Sequence, residues 1–186
     1  MKGHTPAARL VILDRDGVIN RDSSNYVRSA DEWIPLPGSL EAIAKLNAAG
    51  YTVGVASNQS GLARGYFDRR ALRTMHRKLR RLLAAKGGRI ARIEVCPHGP
   101  DDGCRCRKPK PGLIERFLKR YAVDPASVLV IGDSLRDLEA AHAAGTKPVL
   151  VRTGNGRRTE TELAGPLQST PVFDDLAAAA RSLTGT

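Results

Sequence analysis

All three cysteines of the chain lie in one loop, the stretch CPHGPDDGCRCRKPKPG at positions 96–112. Together with a histidine they form a Cys-x-His-x5-Cys-x-Cys set of four soft or borderline ligands within eleven residues, which is what a tetrahedral zinc ion takes in a closed site. Three thiols cannot all pair with one another, so a disulfide framework is disfavoured. The alternative is a polar loop with free thiols and a surface histidine. We predict a structural zinc site whose ligands are Cys96, His98, Cys104 and Cys106.

A second set of reactive side chains is acidic, and its members follow short apolar runs. DRDG supplies Asp14 and Asp16, and GDSLRD supplies Asp133 and Asp137. Magnesium prefers carboxylate and carbonyl oxygens, so Asp14, Asp16 and Asp133 could share one ion. For any single aspartate, a turn or helix cap is the competing explanation. With Lys108 nearby, the set suits phosphoryl transfer, in which a carboxylate attacks phosphorus, cations neutralise its oxygens and a second acid protonates the leaving alkoxide.

Other kinds of catalytic site are poorly represented in the sequence. The chain has no G-x-S-x-G motif, and its four histidines show no link to a serine triad. The GNG at 154–156 follows a late apolar run and lacks the third glycine of a dinucleotide fingerprint. We therefore regard phosphoryl transfer as the chemistry that these residues favour.

The elements that must position these residues alternate between strands and helices. Buried parallel strands are predicted at RLVIL (9–13), YTVGVA (51–56), RIEVC (92–96), SVLVI (127–131) and KPVLV (147–151). Helical patterns at 37–50, 69–83, 111–123 and 134–145 separate them, and PVFDDLAAAARSL adds a last short strand and helix. This order predicts one α/β domain over residues 1–186 with a doubly wound parallel sheet, whose ligands bind beyond the carboxyl ends of the strands.

The composition is that of an ordinary globular chain with a basic excess. The 186 residues carry a formal net charge of +11, which suits either nucleic acid or an anionic substrate. The densest basic run, RRALRTMHRKLRRLL, is explained by a solvated amphipathic helix, and aromatic residues make up only 4%. The N-terminus lacks the pattern of a signal peptide, and no apolar run is long enough to span a membrane. We expect a soluble cytoplasmic protein that binds neither nucleic acid nor membrane.

In this order, DRDG, SNQSG, RKPKPG and GDSLRD resemble the four motifs of haloacid dehalogenase superfamily phosphatases, and the match covers nearly the whole chain. The resemblance implies a Rossmann-like core and a magnesium ion held by Asp14, the backbone carbonyl of Asp16, and Asp133. It makes Asp14 the nucleophile that becomes aspartyl-phosphate and Asp16 the general acid and base. The remaining implied roles are a phosphate hydrogen bond for Ser57, charge stabilisation for Lys108 and support of the magnesium ligands from behind for Asp137.

The zinc loop, with LDRDGVIN and SNQSGLARG, narrows the resemblance to the phosphatases of heptose bisphosphates in lipopolysaccharide precursor synthesis. The histidinol-phosphate phosphatases are the alternative within enzymes, because they share CPH and CRKPK and the short spacer between His98 and Cys104. Histidinol-phosphate phosphatases usually carry an acidic residue after NQ, at the position of Ser60, and this chain has no acidic residue there. An alternative of another class is a nucleic-acid-binding protein on a degenerate phosphatase fold.

The spacing of the motifs leaves no room for an inserted cap domain, so we expect an open site that admits a small sugar bisphosphate. Specificity is then expected from the loops RDSSNYV (21–27) and SNQSGLARG and from the zinc loop. Zinc is expected to fix the two cations that follow it, and Arg107 is the candidate for gripping the phosphate that is not cleaved. We expect a monomer. The further candidate substrate contacts are Asn58, Gln59, Ser60 and Arg64.

Overall fold

The computed structural model describes residues 9–185. The N-terminal segment in which the sequence shows no signal-peptide pattern lies partly outside these residues. The described elements are β1 (Arg9–Leu13), α1 (Ser39–Ala48), β2 (Tyr51–Asn58), α2 (Arg69–Ala84), β3 (Arg92–Cys96), α3 (Gly112–Tyr121), β4 (Leu129–Gly132), α4 (Leu135–Ala143), β5 (Lys147–Val151), α5 (Gly156–Thr161), β6 (Val172–Phe173) and α6 (Leu176–Thr184).

The strands form one parallel sheet in the order β3-β2-β1-β4-β5-β6. The order reverses at β1, whose Val11 pairs with Val53 of β2 on one side and with Leu129 of β4 on the other. The predicted α/β doubly wound sheet is therefore confirmed. In such a sheet the ligand crevice lies beyond the carboxyl ends of the strands on either side of this reversal, which are β1, β2 and β4.

Both faces of the sheet are buried under helices, which explains why the strands are almost continuously apolar. Val11 and Leu13 of β1 point into an apolar cluster shared with α1, α2 and α6. Leu10 and Ile12, the alternate residues, point into a second cluster with α3 and α4. All four side chains are at most 1% exposed, so β1 is anchored from both sides and holds the residue that follows it in a fixed position.

The basic helix α2 is amphipathic, as its sequence predicts. Its N-terminus is capped by Asp68, whose carboxylate accepts a hydrogen bond of 2.7 Å from the Ala71 N–H. Its apolar stripe is buried in the core, while most of its arginines are exposed. The buried residues are Leu72, Met75, Leu79 and Leu83.

Several element boundaries differ from the predicted ones. β2 continues two residues beyond its apolar run because Ser57 and Asn58 pair with β3, so both lie inside the strand instead of after it. β4 begins at Leu129, because Pro125–Ser127 forms a 3-10 turn capped by the side chain of Asp124. The six-residue helix α5 was not predicted, since so short a segment shows no apolar period.

Only loops connect β1 to α1 and β2 to α2, so no cap domain is inserted in the described part of the chain. The expectation of a capless core is confirmed. Among residues 9–185, no helix is both long and apolar enough to cross a membrane. The assignment of one domain to all of residues 1–186 stays a prediction.

Candidate active site

The carboxyl ends of three neighbouring strands open into one cavity of about 340 Å³. Asp14 follows β1, Asn58 ends β2, and Asp133 follows β4. Lys108 reaches the same cavity from the loop between β3 and α3. Residues that are far apart in the sequence are thus brought together because parallel strands end at the same edge of the sheet.

Three carboxylates that line this cavity lie close together. One oxygen from each of Asp14, Asp133 and Asp137 lies within 4.8 Å of the others. Burial raises the pKa of Asp14 to about 8, with the neighbouring acids adding to the effect and the Lys108 charge opposing it. Burial, followed by the charge of Asp137, raises the pKa of Asp133 to about 7. Like charges at this separation favour a shared cation or a shared proton.

Lys108 is the cation that the protein itself supplies. Its ammonium lies 2.9 Å from Asp14 Oδ1 and 2.6 Å from Asp137 Oδ1, and it donates a hydrogen bond of 2.8 Å to the carbonyl of Ala56. The side chain is 3% exposed. Burial works to lower the pKa of Lys108, but the charges of Asp137 and Asp14 outweigh it and raise that pKa above its usual value. Lys108 is therefore charged and fixed beside Asp14.

The backbone of Lys108 is held by Asn58 in β2. The Lys108 N–H donates to Asn58 Oδ1, and Asn58 Nδ2 donates to the Lys108 carbonyl, each over 3.1 Å. This two-way amide contact ties the end of the cysteine-containing loop to the sheet. Asn58, predicted as a substrate contact, lines the cavity and also positions Lys108.

The side chain of Asp16 is held by a separate network. Arg15, which is 1% exposed, makes a bidentate ion pair with it, with Nη2 2.9 Å from each carboxylate oxygen. Asn20 Nδ2 donates to Oδ1 over 2.8 Å, and Gln59 Nε2 donates to Oδ2 over 2.9 Å. Burial works to raise the pKa of Asp16, but the Arg15 charge and these hydrogen bonds outweigh it and lower that pKa. The Asp16 carboxylate is thus oriented by three partners, of which Arg15 and Asn20 were not predicted.

Asp137 is fully committed to neighbouring groups. Its Oδ2 accepts hydrogen bonds from the Ser134 N–H (3.1 Å) and the Ser134 hydroxyl (2.6 Å), which closes a capping box at the start of α4. Its Oδ1 faces the Lys108 ammonium. Burial tends to raise the pKa of Asp137, but Lys108 dominates in the direction of a lower value. With both oxygens occupied, Asp137 is suited to support Lys108, and its role behind the magnesium ligands stays a prediction.

Asp133 is held by the loop after β5, which contains the GNG that lacks the third glycine of a dinucleotide fingerprint. The N–H and the Nδ2 of Asn155 donate to Asp133 Oδ2 over 2.8 and 3.1 Å. The Thr159 hydroxyl donates to the Asp133 carbonyl over 2.9 Å. No signal in the sequence pointed to these contacts, because the loop reaches Asp133 only through pairing of β4 with β5.

The predicted substrate contacts all line the cavity: Asn58, Gln59, Ser60, Arg64 and Arg107. Gln59 uses both of its amide hydrogens internally, on Asp16 and on the Ser57 hydroxyl (2.8 Å), and is 4% exposed. Ser57, predicted to hydrogen-bond the phosphate, is buried and is not among the residues that line the cavity, so the structure does not bring it to the site. Arg107 is half-buried, and its Nη1 donates over 3.3 Å to the His98 carbonyl. The 21–27 loop, predicted to contribute specificity, also lines the cavity, with Asp22, Ser23, Tyr26 and Val27. Lining residues for which no role was predicted include Arg15, Ser134, Arg136 and Asn155.

The predicted zinc ligands converge in the loop after β3. Cys96 Sγ lies 3.6 Å from both His98 Nδ1 and Cys104 Sγ, and Cys106 Sγ lies 3.4 Å from His98 Nδ1 and 3.7 Å from Cys104 Sγ. A tetrahedral zinc ion with ordinary Zn–S and Zn–N bonds separates its ligand atoms by about 3.6 to 3.8 Å. Burial raises the pKa of the Cys96 thiol to about 12, which a bound cation would reverse. The donor set and its spacing fit a closed zinc site.

Comparisons with known proteins agree with this arrangement. A model of the HAD-hydrolase-like family matches residues 105–179. The chain is 57% identical over 175 residues to a protein of Pseudomonas aeruginosa named D-glycero-beta-D-manno-heptose-1,7-bisphosphate 7-phosphatase, covering 94% of this chain and 97% of that one. A Bordetella bronchiseptica protein of the same name is also 57% identical, with coverage of 94% and 97%.

Two solved structures extend the likeness to the whole fold. The D,D-heptose 1,7-bisphosphate phosphatase of B. bronchiseptica, solved with magnesium and phosphate, superposes with a TM-score of 0.92 at 56% identity, covering 95% of this chain and 98% of that one. The corresponding enzyme of Burkholderia thailandensis gives a TM-score of 0.75 at 46% identity, with coverage of 96% and 99%.

Proposed function

This chain belongs to the family of D-glycero-beta-D-manno-heptose-1,7-bisphosphate 7-phosphatases among the HAD-like hydrolases, and from this premise we propose that it removes the 7-phosphate of a heptose 1,7-bisphosphate. The observation that carries the proposal is the buried set of Asp14, Lys108 and Asp133 at adjoining strand ends, in a chain that matches these phosphatases over nearly its full length. The open cavity beside this set suits a small sugar phosphate.

In the first chemical step we assign the role of nucleophile to Asp14. A carboxylate oxygen of Asp14 forms a bond to phosphorus while the bond from phosphorus to the sugar oxygen breaks, and Asp16 gives a proton to the leaving alkoxide. Lys108, 2.9 Å from Asp14, neutralises charge on the transferring phosphoryl group. In the second step Asp16 accepts a proton from water, whose oxygen attacks phosphorus and releases phosphate and the Asp14 carboxylate.

Asp16 is oriented for both steps by Arg15, Asn20 and Gln59. In the absence of substrate these donors favour the ionised carboxylate, which is the form needed to accept a proton from water. An arriving phosphate dianion places negative charge beside Asp16 and shifts it toward the protonated form needed in the first step. The same three donors can thus hold the side chain in one place while its protonation changes.

The group of acids that lines the cavity fits a divalent cation. The side chains of Asp14 and Asp133 and the backbone carbonyl of Asp16 would hold it. The observation behind this assignment is the closeness of the acids: one oxygen from each of Asp14, Asp133 and Asp137 lies within 4.8 Å of the others, and of these three Lys108 contacts only Asp14 and Asp137. When bound, magnesium supplies charge neutralisation and orientation of the phosphoryl oxygens. The relative solved with magnesium and phosphate supports the choice of metal.

We assign zinc to the Cys96, His98, Cys104 and Cys106 set, with a structural role because all four positions are filled by protein. Arg107 directly follows Cys106, the last of the proposed zinc ligands, and lines the cavity. Arg107 is proposed to bind the phosphate at the far end of the bisphosphate, which needs a planar, doubly donating cation. Because every residue of the site comes from one chain, we propose that the monomer is competent.

The test is release of inorganic phosphate by dialysed protein from heptose 1,7-bisphosphate and from histidinol phosphate, with and without magnesium. We expect turnover of the bisphosphate only with magnesium, and no replacement of magnesium by zinc. Preference for histidinol phosphate would transfer the assignment to the alternative enzyme class. Tight DNA binding with a steep salt dependence, and no phosphate release, would favour the nucleic-acid alternative.

The nucleophile is tested by Asp14→Asn, with Asp31→Asn as the matched control. Asp31 is exposed, so the same change there removes one charge without entering the cavity. We expect Asp14→Asn to lose at least about 10³-fold in kcat, because an amide is a poor nucleophile. Residual activity of more than a few per cent in Asp14→Asn, in protein free of the parent enzyme, would contradict the assignment.

A further inference from the structure

The loop 153–156 lies after β5, the strand next to β4, and its hydrogen bonds to Asp133 end on a single carboxylate oxygen. Both the backbone N–H and the side-chain Nδ2 of Asn155 donate to Asp133 Oδ2, over 2.8 and 3.1 Å. Among the described residues, no hydrogen bond reaches the other oxygen, Oδ1. Asn155 therefore fixes the rotation of the Asp133 carboxylate and leaves Oδ1 available.

The rest of this loop is shaped around the same carboxylate. Gly154 has φ +57°, and a Cβ there would lie 2.1 Å from Asp133 Oδ2 and 2.7 Å from Gly17 Cα, so only glycine allows the approach. The Thr153 hydroxyl donates over 2.7 Å to the carbonyl of Gly17, in the turn that follows Asp16. The loop thus contacts both segments that carry the proposed magnesium ligands, the turn after β1 and the turn after β4.

We infer that Asn155 is a positioning residue for magnesium, an inference that rests on the proposed function. It holds Asp133 in the orientation that presents Oδ1 to the ion, although it does not ligate the ion itself. Its Nδ2 also lies 3.4 Å from Oδ2 of Asp22, in the 21–27 loop. Asn155 therefore links Asp22, in a loop that lines the cavity, to Asp133, a proposed metal ligand.

Removing a hydrogen-bond partner of a metal ligand commonly costs about 10- to 100-fold in metal affinity. In Asn155→Ala the backbone N–H and its 2.8 Å bond remain, so only one of the two donors is lost. We therefore expect the lower end of this range, a rise of about tenfold in the dissociation constant for magnesium. At saturating magnesium the turnover of Asn155→Ala should return toward the parent rate, because Asn155 is proposed to contact neither the transferring phosphoryl group nor the leaving group.

The experiment titrates magnesium into the full chain without substrate, by calorimetry, for the parent, Asn155→Ala and Asn155→Leu. Leucine has the same number and branching of side-chain heavy atoms as asparagine but lacks its donor, so equal weakening in both variants assigns the effect to the hydrogen bond. Thr161→Ala is the control, because it loses a side-chain bond of 2.7 Å to the Arg158 carbonyl on the same helix, away from Asp133. The magnesium dependence of phosphate release is measured in parallel.

Magnesium affinity equal to that of the parent in both Asn155 variants would overturn the inference. It would also be overturned by a raised KM for the bisphosphate at unchanged magnesium affinity, since Asn155 would then act on substrate. Melting curves identify a variant that is unfolded, in which case the other variant decides. A parent protein that binds magnesium but releases no phosphate would refute the proposed function, while the calorimetric comparison would still decide the role of Asn155.

Discussion

Replacing Arg107 with alanine separates recognition of the second phosphate from the chemistry at the first. The guanidinium makes one long hydrogen bond, 3.3 Å to the His98 carbonyl, so its removal should cost the folded state little. A charge-assisted pair with a phosphate contributes about 1.5 to 3 kcal/mol. At RT of about 0.59 kcal/mol, this corresponds to a loss of about 10- to 150-fold in kcat/KM for a bisphosphate. A monophosphate makes no such pair and should be affected much less.

The assay compares kcat/KM for heptose 1,7-bisphosphate and for a simple sugar monophosphate. Arg105→Ala is the matched control, because Arg105 belongs to the same loop and is exposed, but does not line the site cavity. It removes the same charge and should leave both substrates unaffected. Lys108→Met should damage both substrates alike, since the charge that Lys108 neutralises belongs to the transferring group in each. Equal losses on the two substrates for Arg107→Ala would refute the division of roles between the adjacent cations.

Two further predictions concern metal content and acid stability. Elemental analysis should find about one zinc per chain, and Cys104→Ser should lower both the zinc content and the Tm. Asp101→Asn, in the same loop, is the control and should change neither. Full zinc occupancy in Cys104→Ser would rule out this ligand set. Burial, aided by the charges of Arg15 and Arg80, lowers the pKa of His76 to about 4. In the unfolded chain the pKa of histidine is about 6.5. Between these two pH values the unfolded chain therefore binds a proton at His76 that the folded chain does not bind. The contribution of His76 to stability is therefore full above about pH 6.5 and is lost as the pH falls toward 4. Urea unfolding at pH 7.5 and 4.5 should show a smaller loss of unfolding free energy in His76→Gln than in the parent, by about 2 to 3 kcal/mol, and identical losses would contradict this account.

Most of the sheet could be predicted from the sequence because its strands are buried on both faces and appear as apolar runs. β1, β3 and β5 begin and end at the predicted residues. The polar end of β2 could not be found this way, since Ser57 and Asn58 belong to the strand through pairing with β3 and not through hydrophobicity. The start of β4 was placed too early for a similar reason, because a side-chain cap from Asp124 draws Pro125–Ser127 into a turn.

The positions of the candidate site residues followed from strand ends, but their partners did not. The sequence places Asp14, Asp133 and Lys108 at one edge of the sheet, and the structure brings them there. A bidentate pair between neighbours such as Arg15 and Asp16 depends on side-chain rotamers that spacing does not specify. The Asn155 contact depends on which strand lies beside β4, and that order is a property of the whole sheet.

The central place of β1 has a consequence for how the chain acquires activity. The Asp14 N–H donates over 2.9 Å to the carbonyl of Ile131, and Val11 pairs with Leu129, so the proposed nucleophile is held by a segment from the distant second half of the chain. Such non-local parallel pairing forms slowly, because a long loop must close before the contact stabilises it. Helices can form from local sequence well before that closure. Recovery of turnover during refolding should consequently lag behind recovery of the far-ultraviolet circular dichroism signal of the helices. During synthesis, Asp14 should likewise lack its native position until β4 has been made and has paired with β1.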